Sequence, residues 1–186
     1  MSFAETAKAT DAQSASLVAG TGATENMTIR GDYTVECFDA NGDLKWSEEF
    51  KNLVVTVGKN FMLDETFAGT TYSAAWYLGL VDGASSPTYN AANTMSSHAG
   101  WTEFTSYSES TRPAPTWNAA SSGSKATNAT SFNINGSGTV AGAFMTTDNV
   151  KTGTSGTLFS AGNFSGGSRT VASGDTLNVT YTATLT

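Results

Sequence analysis

Cysteine and histidine are almost absent from this chain of 186 residues, with Cys37 and His98 the sole representatives. A lone thiol excludes an internal disulfide and a thiolate metal cage, and a lone imidazole excludes paired or His-rich metal sites. No metal and no cofactor is therefore expected. A catalytic His98 would need a nucleophile and an orienting carboxylate, and only undistinguished Ser and Thr are on offer. No catalytic residue is assigned, and His98 reads as a structural turn residue. Charge is scarce as well, at 13% of residues against roughly 25% for an average soluble protein. The net charge is -7, the nine basic residues are dispersed and the pI is near 4.5. Nucleic acid is thereby excluded as a partner, because phosphate binding needs clustered Lys and Arg. No apolar run approaches the roughly 20 residues that span a bilayer. The opening Met1-Ser2-Phe3-Ala4-Glu5 has neither the basic nor the apolar region of a secretory leader. A soluble chain made in the cytoplasm, without membrane contact, is expected.

What the chain has in abundance is a two-residue period. Leu177, Val179, Tyr181, Ala183 and Leu185 alternate strictly with Thr176, Asn178, Thr180, Thr182 and Thr184. That is the pattern of a strand with one face on a core and one in water. The same period in Tyr33, Val35 and Cys37, then in Leu44, Trp46 and Phe50, brackets Asp39-Ala40-Asn41-Gly42-Asp43 and predicts a hairpin with a type I′ turn. Asp39, Asn41 and Asp43 resemble the start of a calcium loop, but Gly42 comes at position four and Phe50 at position twelve, where an EF-hand needs Gly at six and Glu at twelve. Further strands are read at Leu53–Val57, Thr127–Ile134, Thr139–Thr146 and Gly156–Phe164. The expected fold is all-β, an antiparallel, jelly-roll-like β-sandwich over residues 29–186.

Three segments depart from that period. Residues 1–28 are rich in Ala, Thr, Ser and Gly, with isolated apolar side chains at Phe3, Leu17, Val18 and Met27 and no sustained period. Ordering a backbone costs roughly 1–2 kcal/mol per residue, more than four side chains at about 1.5–3 kcal/mol each can return. An extended arm that docks on a partner through Phe3, Leu17, Val18 and Met27 is expected. Gly58 to Gly69 lacks alternation and predicts a short helix, apolar all round, that plugs one end of the β core. Tyr72 to Val81 is apolar on both faces, which predicts a strand whose outer side is also covered, for instance by another subunit. Trp76, Tyr77 and Trp101 are the candidate subunit-interface residues.

Between the strands, residues 82–110 read as a long loop and Arg112-Pro113-Ala114-Pro115-Thr116-Trp117 as an edge strand or covering arm, since proline cannot donate to a ladder. Glu48 and Glu49 fall on opposite faces of one strand and cannot act together on a substrate. Trp46, Trp76, Trp101 and Trp117 could form a sugar-stacking platform, although core packing is the commoner use of tryptophan.

The blocks Thr94-Met95-Ser96-Ser97-His98-Ala99-Gly100-Trp101-Thr102-Glu103, Arg112-Pro113 with Trp117, Gly156-Thr157-Leu158-Phe159-Ser160-Ala161-Gly162-Asn163-Phe164 and Gly174-Asp175-Thr176-Leu177-Asn178-Val179-Thr180-Tyr181 occur in that order. Together with the Val35–Phe50 hairpin and Gly58-Lys59-Asn60, this arrangement resembles a family of small virion proteins of tailed bacteriophages, over roughly residues 33–186. The resemblance implies a non-enzymatic particle component, the nearest role being a capsid decoration or cement protein on the head surface. Implied with it are a homotrimer, the major capsid protein as partner, and synthesis in the host bacterial cytoplasm. A tail-fibre or receptor-binding module that recognises host glycan through exposed tryptophans is the alternative. Residues 1–28 lie outside the matched pattern.

Overall fold

A computed structural model describes residues 27–67 and 75–186 of the chain. In chain order the elements are β1 (Ile29–Phe38), β2 (Leu44–Lys51), β3 (Leu53–Val54), α1 (Thr56–Phe67), β4 (Tyr77–Asp82), β5 (Glu103–Phe104), β6 (Ser124–Ala126), β7 (Thr130–Asn133), β8 (Gly138–Thr146), β9 (Leu158–Asn163), β10 (Arg169–Val171) and β11 (Thr176–Leu185). The alternating runs do what their period demands. Tyr33, Val35 and Cys37 on β1 meet Tyr181, Val179 and Leu177 on β11 across an antiparallel ladder, and all six are buried on one side of it.

Two sheets result. The first has the order β2-β1-β11-β6, with β7 also paired to β11, and the second has β3-β9-β8-β4-β5, with β10 paired to β8. Their facing sides share one core, in which Tyr33, Val179 and Phe132 of the first sheet lie with Leu80, Met145 and Phe159 of the second. The antiparallel β-sandwich is thus the fold. Its strands run consecutively within one sheet in the hairpins β1–β2 and β8–β9, and the jelly-roll winding of the expectation is not carried by this order.

The β1–β2 hairpin forms where it was read, but its turn is of another kind. Gly42 lies at φ +89 while Asn41 is not among the positive-φ residues, whereas type I′ needs both central residues there. Instead Gly42 N donates to Asp39 O at 3.0 Å, and the Asp39 carboxylate accepts from the backbone of Asn41 (2.8 Å) and Asp43 (2.9 Å). The carboxylate is consumed in shaping the loop, and those hydrogen bonds hold its pKa below the usual range.

The second sheet is apolar on both sides, as Tyr72 to Val81 implied, although its strand starts only at Tyr77 and residues 72–74 lie outside the described residues. What covers the outer side corrects the expectation of a neighbouring subunit. Residues 83–102 of the same chain fold back over it, and Met95 and Trp101 join Val81, Ala141, Phe144 and Leu158 in a second buried cluster. Trp101 is only 2% exposed. Its ring lies 5.0 Å from Phe144 and stacks on His98 at 3.9 Å. Glycine makes room for this layer. A Cβ on Gly79 would stand 2.2 Å from the Phe144 ring, and one on Gly142 only 1.8 Å from the Gly162 carbonyl oxygen. Because Gly142 is opposed by backbone, its clash cannot be relieved by a rotamer change. Gly142→Ala should therefore cost about 3 kcal/mol and lower the melting temperature by roughly 10 °C; an unchanged thermal melt would show that β8 and β9 do not approach this closely.

Candidate functional site

One end of the sandwich leaves apolar side chains partly uncovered. Along the first sheet the inward-facing positions run outward from Tyr33 through Ile29 to Met27, and from Tyr181 through Ala183 to Leu185, by the strand period. Thr28 N and Thr186 O pair at 2.7 Å, which keeps the two strands together as they leave the core. Met27 is 62% exposed and Leu185 46%. The helix α1 closes this end only in part. Gly58 lets it press on β9, where a Cβ would come within 2.5 Å of Phe159 O. Phe61 then packs edge-on against Trp76 at 5.4 Å, and Trp76 in turn on Phe159 at 5.2 Å.

Between helix and sheet remains a cavity of about 650 Å³, walled by Ile29, Phe61, Met62, Trp76, Pro115 and Trp117 among others. Its polar lining is thin: Glu65 and Thr66 on the helix and Lys125 opposite. Lys125 is already engaged, donating to Asn118 O at 2.8 Å and lying over the Trp117 ring. Glu65 Oε2 is buried without a hydrogen-bond partner among the described residues. The helix is not covered all round: Phe61 and Met62 line the cavity, whereas Leu63 is 41% and Phe67 75% exposed. The plug expected of residues 58–69 is thus partial, and Gly69 lies outside the described residues.

The residues singled out from the sequence separate here. Phe3, Leu17 and Val18 lie outside the described residues, and Met27 is exposed two residues before the groove-lining Ile29. Trp76 and Tyr77 are half-buried, and Trp76 faces the cavity. Trp101, the third interface candidate, is corrected, since its side chain is used inside the chain's own second cluster. His98 is structural, its Nδ1 3.1 Å from Trp101 O. Among the described residues, no group of three or more His, Cys, Asp and Glu is arranged to hold a metal ion, and no helix is long and apolar enough to cross a membrane.

Sequence reasoning missed Arg112, which is 1% exposed. Its Nε and one terminal nitrogen each donate to Glu103 at 2.9 Å, the other terminal nitrogen donates to Asp148 O at 2.9 Å, and the guanidinium stands over the Phe144 ring. It ties the end of the covering loop, at Glu103, to the turn after β8. Thr152 N and Tyr107 OH complete the Glu103 carboxylate. In a chain so poor in charge, a basic residue followed by proline in an apolar stretch was the available signal. Removing one member of such a cluster strands the others, so Arg112→Met should cost about 3–5 kcal/mol, and Arg112→Lys should recover little because it lacks the fork that grips both oxygens. Urea unfolding measures this, and a variant within about 0.5 kcal/mol of the parent would show the pair to be incidental.

Buried acids of another kind set the response to alkali. Burial, aided by Asp175, pushes the Cys37 thiol up to about 12, and burial pushes the Tyr181 hydroxyl beside Asn52 to about 12. The unfolded chain gives up these protons first, at roughly pH 8.5 and 10. Above those values the native state holds more protons than the unfolded one, so stability falls as pH rises. The urea midpoint should drop progressively between about pH 9 and 12, and a flat profile over that window would contradict the burial of both groups.

Fold and site together define a two-sheet β-sandwich with an apolar groove at one end, placed where the N-terminal segment enters the first sheet. No family model matches the sequence, and no curated protein matches it.

Proposed function

We propose that the chain is a capsid decoration protein of a tailed phage, a non-enzymatic trimer on the head surface that binds major capsid subunits and stabilises the shell. The observation that carries this reading is the apolar groove beside the start of the first sheet, lined by Ile29, with Met27 exposed just before it. The order of sequence blocks supports it from a second direction. The sandwich itself is a body closed on its broad side by its own loop, which leaves the groove and the arm as the means of attachment. A protein that binds only the assembled lattice stabilises it by mass action, by about 2.7 kcal/mol per site at a hundredfold excess over Kd. Trp76 and Trp117 at the groove are what favours the alternative, a fibre or receptor-binding module that stacks on glycan. Sugar recognition also needs hydrogen-bonding groups for the hydroxyls, and Glu65, Thr66 and Lys125 are few for a cavity of this size.

Removal of residues 1–26 spares the Thr28–Thr186 pairing and every strand. The trimmed chain should keep its β circular-dichroism spectrum and bind purified heads at least tenfold more weakly than the full chain, about 1.4 kcal/mol. Equal occupancy of the two forms on heads would count against attachment through the arm.

A further inference from the structure

Asparagine followed by glycine is a chemically fragile pair. Glycine has no side chain to shield its amide nitrogen, and that nitrogen can attack the carbonyl carbon of the asparagine side chain before it. The chain has two such pairs, Asn41-Gly42 and Asn135-Gly136, and one aspartate analogue, Asp82-Gly83. None of the six residues is fully buried.

The fold treats the three pairs differently. Gly42 N donates to Asp39 O at 3.0 Å, and the Asn41 side chain is drawn to the Asp39 carboxylate, its Nδ2 3.4 Å from Oδ2. Gly83 N donates to Thr139 O at 3.0 Å, while Asp82 Oδ1 accepts from Ala84 N at 2.7 Å, which commits that carboxylate to the next residue but one. In both pairs the attacking nitrogen is occupied and the group it would attack is held elsewhere. At the third pair the nitrogen is not committed. Among the described residues Gly136 N donates to no backbone acceptor, and Asn135 is exposed and held through its own nitrogen, which donates to Ser106 O at 3.1 Å.

We infer that Asn135 is the chain's site of spontaneous deamidation, and that the turn built on Asp39 protects Asn41 from the same reaction. The Gly136 nitrogen, its proton given up to solvent base, bonds to Asn135 Cγ; the Cγ–Nδ2 bond breaks and ammonia leaves. Water then opens the cyclic imide at either carbonyl and leaves aspartate or isoaspartate at position 135. Either product takes the formal net charge from -7 to -8, one amide becoming one carboxylate. Isoaspartate also lengthens the main chain by a methylene directly after Ile134, whose nitrogen donates to Asp175 O and whose oxygen accepts from Gly174 N, each at 2.8 Å. The tie between the end of β7 and the start of β11 therefore bears the change. This reaction belongs to the free protein and does not depend on the phage reading.

Full-length protein held in mildly alkaline buffer tests it, with tryptic peptides followed over time by mass spectrometry for the mass gain of amide-to-acid conversion. In the native protein, conversion at Asn135 should outpace that at Asn41 by roughly tenfold or more, because reaction at Asn41 waits for its turn to open. In urea the two rates should converge to within about threefold, since the unfolded chain has lost both settings. Asp39→Ala, which removes the carboxylate from the turn, should speed conversion at Asn41 severalfold in the folded protein and leave that at Asn135 unchanged. Conversion at Asn41 as fast as at Asn135 in the native protein, no conversion at Asn135, a preference undiminished in urea, which would place its cause in the neighbouring sequence, or an Asn41 rate unmoved by Asp39→Ala each overturns the inference.

Discussion

Burial of β8 on both of its faces is the constraint from which the rest of the structure follows. Val140, Ala143 and Met145 serve the core between the sheets, while Ala141 and Phe144 serve a second cluster on the outer side. A strand with no wet face needs a cover, and here the cover is the chain's own residues 83–102. Trp101 is pressed on Phe144, and Arg112 fixes the end of that loop by gripping Glu103 and the Asp148 carbonyl. Gly79 and Gly142 are the concessions that let so many layers fit. With the broad side sealed, Met27, Leu185 and the helix residues Leu63 and Phe67 remain exposed, as do Leu44 and Val150 elsewhere on the surface.

Much of the sandwich was legible in the sequence because period two survives wherever one face is dry and the other wet. β1, β2, β7 and β11 follow from that signal, and α1 from its absence. The doubly apolar run before Val81 also told the truth about burial. It could not tell whose atoms did the covering, since a strand feels a subunit and a returning loop alike; the Met95–Trp101 stretch carries no period that would reveal it. β3 was read, though longer than it is, at Leu53–Val57, whereas β5, β6 and β10 were missed because two or three residues are too few to show alternation. Charge-poor composition muted the opposite kind of signal: Arg112 and Glu103 form the ion pair deepest in the fold, nine residues apart, with only the proline after Arg112 to mark them.

The groove was half legible. A glycine-bracketed apolar helix marked one end of the sandwich as special, and Trp76 was picked out beside it. Which helical residues face inward depended on a packing contact, Gly58 on Phe159, that no spacing rule contains. The contact rotates Phe61, Met62 and Glu65 towards the sheet and leaves Phe67 outside. The cavity that results is lined mainly by apolar side chains, with Glu65, Thr66 and Lys125 as its charged and polar members.

The most direct test of this account is the position of the chain in cryo-electron microscopy images of intact phage particles. The account predicts density for the sandwich on the outer surface of the head, with the Trp76–Trp117 end turned towards the capsid subunits and the broad side over residues 83–102 facing solvent. Density for the chain at the tail, or on the head with the groove end pointing away from the shell, would contradict it.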